Sequence, residues 1–207
     1  MKRLLVPALI VLLVSVLIGV PGFVLLTNSA PSVEQLRNST VCVFNDSGHG
    51  SGVIIDSNCV LTARHVSDHN DLMIQTIDGD VYGVVKAVKD PNSDLALLYI
   101  GQKFDEVPLT LDKTPLKIGD EIIVIGTPYE RTMIGTVLLG HVVNIDQVIP
   151  MGDITNVNVD IIDTHAAPGC SGGPVLDTRG HVRAIETLGN PPLCGCIPVG
   201  ELDGVGR

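Results

Sequence analysis

Three short segments carry residue types that could do nucleophilic chemistry together. The first is Gly50-Ser51-Gly52-Val53-Ile54-Ile55, followed by Val60-Leu61-Thr62-Ala63-Arg64-His65-Val66. The second is Ser93-Asp94-Leu95-Ala96-Leu97-Leu98. The third is Ala167-Pro168-Gly169-Cys170-Ser171-Gly172-Gly173-Pro174-Val175-Leu176. Each alone has an ordinary reading. His65 could cap a strand end, Asp94 could be a turn residue, and Ser171 could sit in a glycine-rich bend. Together they supply a base, an orienter and a nucleophile, in one of the chain orders this constellation takes.

The chemistry would be acyl transfer. Ser171 Oγ attacks a carbonyl, His65 takes the proton and returns it to the leaving group, and ionised Asp94 holds the imidazole in the useful tautomer. The developing oxyanion needs backbone N–H groups aimed at one point, which demands an unusual backbone near the nucleophile. Gly169 can take positive φ without steric cost. The N–H groups of Gly169 and Ser171, helped by that of Cys170, are the expected donors.

Such residues need elements that bring distant segments together. After a short linker the chain reads as apolar runs broken by turn residues, with strands expected over 41–44, 52–55, 60–62, 72–76, 81–88 and 95–100. A less apolar stretch, 102–120, precedes a second series over 121–125, 133–139, 141–148, 157–162, 174–176, 182–187 and 196–199. That makes six or seven strands on each side of one connector. No long segment beyond residue 30 has helical periodicity. Two antiparallel barrels are the economical all-β architecture, because closure removes exposed sheet edges. His65 and Asp94 then lie in the first barrel (about 39–105) and Ser171 in the second (about 117–200), so they can meet only in the cleft between them.

The composition supports this reading. Aromatics make up 3% of the chain against 45% hydrophobic residues, so the core must be built from Val, Ile and Leu. The net charge of −10 and the absence of Trp offer neither the cationic surface nor the stacking platforms that nucleic acid needs. Residues 4–26 contain no charge, follow Lys2 and Arg3, and are long enough to cross ~30 Å of hydrocarbon at ~1.5 Å per residue. One N-terminal transmembrane helix is therefore expected within residues 1–30, with the N-terminus cytoplasmic and residues 39–207 exported, joined by a linker at 31–38. The alternative is secretion after cleavage near Ala30. The five cysteines are Cys42, Cys59, Cys170, Cys194 and Cys196, and no second pair with zinc spacing accompanies Cys194-Gly195-Cys196. Neither metal nor cofactor is expected.

At this point the sequence resembles the trypsin-like serine proteases, and within them the HtrA-type branch, from about Ser39 to Val199. Besides the three segments, Gly119-Asp120-Glu121 followed by Val124-Ile125-Gly126-Thr127-Pro128 resembles that branch's second-barrel opening, and Cys196-Ile197-Pro198-Val199 its closing strand. The resemblance implies two six-stranded barrels, hydrolysis of protein or peptide substrates, and a triad of His65, Asp94 and Ser171. It also implies a specificity pocket at His165 and at Thr187, Leu188 and Gly189, the last three on the strand that pairs with substrate backbone. Three features depart from the pattern: Cys170 precedes the nucleophile where the branch has Asn, Arg64 adjoins the histidine, and the branch's peptide-binding PDZ module is not expected after the last strand. A disulfide from Cys170 to Cys194 or Cys196, with Cys42–Cys59 as a second pair, is one expectation for Cys170; a buried free thiol is the other. His49, His69, His141 and His181 read as surface residues. A protease-fold binding protein without turnover is the alternative to an enzyme.

Overall fold

The computed structural model describes residues 30–202. The expected membrane segment at 4–26 lies outside the described residues. Part of the stretch expected as a linker is a short helix, α1 (Val33–Asn38). Its start is a capping box: the Ser32 hydroxyl accepts the Gln35 N–H, and the Gln35 side chain accepts the Ser32 N–H. Leu36 is buried beneath it. Arg37 donates to the Gly135 carbonyl at 2.8 Å, and the Ser39 hydroxyl donates to the Val107 carbonyl at 2.6 Å. This six-residue helix and the residue after it are thus tied to the connector between the sheets and to the second half of the chain.

The first sheet contains β1 (Thr40–Asn45), β2 (Gly48–Asp56), β3 (Cys59–Ala63), β4 (Met73–Gln75), β5 (Val81–Lys89) and β6 (Leu95–Ile100). They pair antiparallel in the order β1-β2-β3-β6-β5-β4, and β4 returns to β1 to close a barrel. The second sheet contains β7 (Glu121–Gly126), β8 (Thr136–Met151), β9 (Ile154–Ile162), β10 (Pro174–Leu176), β11 (Val182–Asn190) and β12 (Leu193–Pro198). Its order is β10-β11-β12-β9-β8-β7, closed through β7 and β10. Among the described residues there are six strands on each side. Where two strands were expected over 133–148, one 16-residue strand runs through. Gly140 suggested a break there, but it marks a close approach: a Cβ at this position would crowd the Asp163 carbonyl at 2.7 Å.

Side chains alternate across a strand, and here both faces of several strands are apolar. Val41, Val43, Ile54, Val60, Ile74, Leu98 and Ile100 fill the first barrel. Ile122, Val124, Val142, Ile162, Val175, Ala184 and Cys196 fill the second. The alternate residues of the same strands, Val53, Leu61, Leu95 and Leu97 with Ile185 and Ile197, join Leu36 in a third core between the barrels. So β3, β6, β11 and β12 are buried on both faces, which fixes one barrel against the other.

Leu36 is 2% exposed within that shared core. We expect Leu36→Ala to cost about 2–5 kcal/mol, measured as a shift of the denaturant midpoint at constant m-value. A loss under about 0.5 kcal/mol, typical of surface positions, would show that α1 is not part of the shared core.

Candidate active site

The residues that could do chemistry lie at one end of the shared core, where strand ends from both barrels meet. His65 opens a single 3-10 turn just past β3, and Asp94 stands just before β6. Because β3 and β6 are paired neighbours, their ends are adjacent, and the Arg64 N–H donates to the Asp94 carbonyl at 3.0 Å. The turn before Asp94 is held by Asp90, whose carboxylate accepts the N–H groups of Asn92 and Ser93. Asp90 is thereby occupied in shaping the loop.

Asp94 grips His65 twice. Its Oδ1 accepts the His65 backbone N–H at 2.9 Å, and its Oδ2 lies 2.7 Å from His65 Nδ1. The Thr187 hydroxyl, from β11 of the other barrel, donates to the same Oδ2. The Asp94 side chain is 6% exposed, while that of His65 is 45% exposed. Burial alone would raise the Asp94 pKa, but the hydrogen bond and charge of His65, with Thr187, outweigh it and hold the carboxyl below its usual range. Burial pulls His65 down, yet the hydrogen bond and charge of Asp94, with the charges of Glu186 and Asp68, carry it above 6.5. The pair is an ionised carboxylate steering an imidazole whose Nε2 remains free to exchange a proton.

Ser171 stands on a loop pinned from both sides. Ser51 N–H on β2 donates to the Ser171 carbonyl at 2.7 Å, and the Gly172 N–H donates to the Glu186 carbonyl on β11 at 2.7 Å. The Ser51 hydroxyl donates to Gly169 O at 2.7 Å and accepts from Thr127 N at 2.9 Å. Gly172, with φ of +92°, has no space for a Cβ, which would overlap Ser51 O and the Thr62 hydroxyl. The Pro168–Gly169 pair makes a tight turn with φ of +98° at Gly169, closed by Cys170 N–H to Ala167 O at 2.9 Å. Cys170 N–H is therefore engaged, which corrects its expected part in holding an anion. Tyr129 N–H donates to the Pro168 carbonyl at 2.8 Å, from a residue that itself has φ of +62°. In a trans peptide C=O and N–H point opposite ways, so this bond turns the Gly169 N–H away from Tyr129. Among the described residues, neither Gly169 N–H nor Ser171 N–H meets a protein acceptor. The Ser171 hydroxyl faces the Thr187 carbonyl at 3.4 Å, and no hydrogen bond joins it to His65.

Two cavities flank His65. One, of about 400 Å³, is lined by His65, Asp94, Ile149, Met151, Thr187 and Leu188. Its rim is closed by Arg64, which pairs with Asp153 of the β8–β9 hairpin at 3.0 Å. The other, of about 290 Å³, is lined by His65, Ser171, Gly169, Pro168, His49 and Val66. His49 is not a surface residue: it is half-buried beside Gly169, with Nε2 3.0 Å from the Thr127 carbonyl. His165 does not join the site. It faces outward between buried Thr164 and Ala166 and lines a separate cavity with Glu121, His141 and Asp163.

The proposed disulfides are absent. Cys42, Cys59, Cys170 and Cys196 are buried thiols, and the Cys194 thiol donates to the Thr164 carbonyl at 3.2 Å. Burial pushes Cys170 up to about 11, so it stays protonated at neutral pH and is a poor nucleophile. Cys42 lies by Thr127 and Cys59 by Tyr99, in unlike surroundings. Asp112, Asp177 and His181 lie within metal-binding distance of one another, but Arg179 and Arg183 already pair with their carboxylates.

The geometry fixes a sign for pH dependence. A base must be neutral, and His65 is raised above 6.5, so proton-accepting capacity is lost as pH falls through a midpoint above that value. We expect the His65 ring resonances to titrate above 6.5 in the native protein and at a lower pH in Asp94→Asn. A native midpoint at or below 6.5 would show that Asp94 does not control the imidazole.

Comparison with known proteins agrees with this architecture. Residues 50–185 match the family model described as "Trypsin-like peptidase domain". The putative serine protease HhoA of Synechocystis is 35% identical over 151 residues, covering 68% of this chain and 36% of that protein. The serine protease Do-like HtrA of Bacillus subtilis is 31% identical over 181 residues, covering 81% of this chain and 40% of its own. The chain thus spans about two fifths or less of these curated relatives. Among solved structures, the HtrA-type protease AlgW with tripeptide superposes with a TM-score of 0.70 at 25% identity, covering 81% of this chain and 60% of that one. Rv3671c from M. tuberculosis, in an inactive form, superposes with a TM-score of 0.73 at 22% identity over 84% and 88% of the two chains, a likeness of fold. The family match extends from the Gly50 strand to β11 and so takes in His65, Asp94 and Ser171; the chain belongs to the trypsin-like peptidase family, with relatives in its HtrA branch.

Proposed function

We propose that the chain is a serine endopeptidase acting through an acyl-enzyme, with Ser171 as nucleophile, His65 as general base and acid, and Asp94 as the orienting carboxylate. The observation that carries this reading is the doubly held His65–Asp94 pair set opposite a serine on a glycine-shaped loop. Rotation of Ser171 χ1 brings Oγ from the Thr187 carbonyl toward His65 Nε2. Oγ then adds to the substrate carbonyl and its proton passes to Nε2. The oxyanion forms against the Gly169 and Ser171 N–H groups, which meet no acceptor among the described residues. Collapse expels the amine, protonated by His65, and leaves an ester on Ser171. Water, deprotonated by His65, repeats the sequence and frees the acid. Leu188 and exposed Gly189, at the open edge of β11, suit an extended peptide backbone.

The second reading, a binding protein of the same fold without turnover, has one observation in its favour: Ser171 Oγ rests on Thr187 O. We also place the peptidase outside the cytoplasm, anchored by residues 4–26. The uncharged run behind Lys2 and Arg3 supports this, as does a relative whose name is periplasmic serine endoprotease DegP.

One experiment tests both statements. A membrane-impermeant fluorophosphonate added to intact spheroplasts expressing the full chain should label Ser171, and Ser171→Ala should abolish the label. Asp94→Asn should keep the fold and lose on the order of 10⁴ in turnover, the scale seen when such a histidine adopts the wrong tautomer. Labelling only after lysis would overturn the location. No labelling of folded protein would favour the binding reading.

A further inference from the structure

The two cavities that flank His65 differ in charge. The one against Thr187 and Leu188 of β11 has Asp68, Asp94 and Asp153 in its lining. The other, of about 290 Å³, has no acidic residue in its lining: Val43, Phe44, His49 and His69 wall it, together with Gly169 and Ser171. A peptide whose acyl side lies along the β11 edge continues past Ser171 away from that edge. Its amine half, which departs with the first product, therefore enters the second cavity.

One wall of that cavity carries a cation. Phe44 lies on β1, directly across the hairpin from His49 of β2. Over its ring sits Arg131, the first residue of a 3-10 turn (Arg131–Met133) that follows β7. Arg131 Cζ stands 4.0 Å over the ring centroid, the separation of two flat groups in contact. That contact occupies a face of the guanidinium and none of its N–H donors, which radiate in its plane. The other described arginines, Arg37, Arg64, Arg179 and Arg183, each pair with a carboxylate. Arg131 has no carboxylate partner among the described residues, although Glu130 precedes it and the chain carries a net charge of −10.

The half-buried ring thus holds an exposed cation in a set place beside the cavity, with its donor edge empty. A guanidinium so placed suits a carboxylate, which it meets through paired N–H···O bonds. A Lys side chain would meet like charge there. Three extended residues span ~10 Å, enough to cross a cavity of this volume and reach beyond Phe44.

We propose that Arg131 determines specificity on the leaving side, favouring substrates with Asp or Glu within the first three residues after the scissile bond. This rests on the peptidase reading given above. The net charge of the chain would by itself favour basic substrates, so an acidic preference would be the work of a local group.

The test uses full-length protein and fluorogenic peptides identical up to the scissile bond. They carry Glu, Gln or Lys at each of the next three positions in turn. An activated ester of the same acyl group, with no leaving peptide, serves as the control. At low salt we expect kcat/KM for Glu, at one or more of these positions, about threefold or more above Gln and about tenfold or more above Lys. In the native protein that preference should shrink as salt rises, which tests the proposal without any variant. In Arg131→Ala the peptides should converge to within about twofold, and in Arg131→Glu the order should reverse, while ester hydrolysis changes by less than about twofold in either. Equal rates for Glu and Gln at all three positions, faster cleavage of Lys, or a Glu preference that survives in Arg131→Ala or ignores salt would overturn this proposal alone. So would an equal loss on peptides and ester in Arg131→Ala, which would make Arg131 a prop for its loop. Absence of both ester hydrolysis and peptide cleavage would overturn the peptidase reading with it.

Discussion

The rest of the structure depends on the apolar core shared between the barrels. Each barrel could close around its own interior, but a closed barrel by itself holds half of a site. His65 and Asp94 belong to the first, Ser171, Thr187 and Glu186 to the second. What sets these halves in register is the second apolar face of β3, β6, β11 and β12, where Leu61, Leu95 and Leu97 meet Ile185 and Ile197. Burying both faces leaves no soft direction for the barrels to slide, because close-packed interiors transmit strain instead of absorbing it. The hydrogen bonds across the seam, Thr187 to Asp94 and Ser51 to the Ser171 loop, can then be directional. Their geometry is a consequence of packing several residues away.

Two carboxylic acids flank one imidazole, and their environments drive them apart. Asp94 receives donors from His65 and Thr187 and is kept ionised. Glu186 receives none that is well formed and is pushed toward the neutral acid. Pairs of titratable groups separated in this way commonly divide the work of a site. Here Asp94 is the acid that stays charged beside the imidazole.

Much of this could be read from residue order. The strands declare themselves because Val, Ile and Leu alternate between turn residues, and His65, Asp94 and Ser171 stand at strand ends where a barrel presents side chains. What escaped sequence reading did so for physical reasons. Gly140 looked like a break because a glycine needed for close approach has the same letter as one needed for a turn. The helix at Val33–Asn38 is too short for periodicity and is betrayed only by its capping box. His165 was expected in the pocket from the resemblance, but it lies in the irregular segment after β9, exposed between buried Thr164 and Ala166. Of the two expectations for Cys170, a disulfide or a buried thiol, the structure has the buried thiol, packed as a small apolar group. Glu186 and Tyr129 left no local signal, since their importance lies in what the second barrel places beside them.

The claim that Ser171, His65 and Asp94 act as one acylating unit is tested most directly by trapping the intermediate. Full-length protein mixed with an activated peptide ester, quenched in acid within the first turnover and digested, should carry one acyl group on the peptide containing Ser171. The group should be bonded to that serine, with Cys170 unmodified and no adduct in Ser171→Ala. Steady hydrolysis with the acyl group on Cys170, or with no acyl group at Ser171 at any time, would contradict the account.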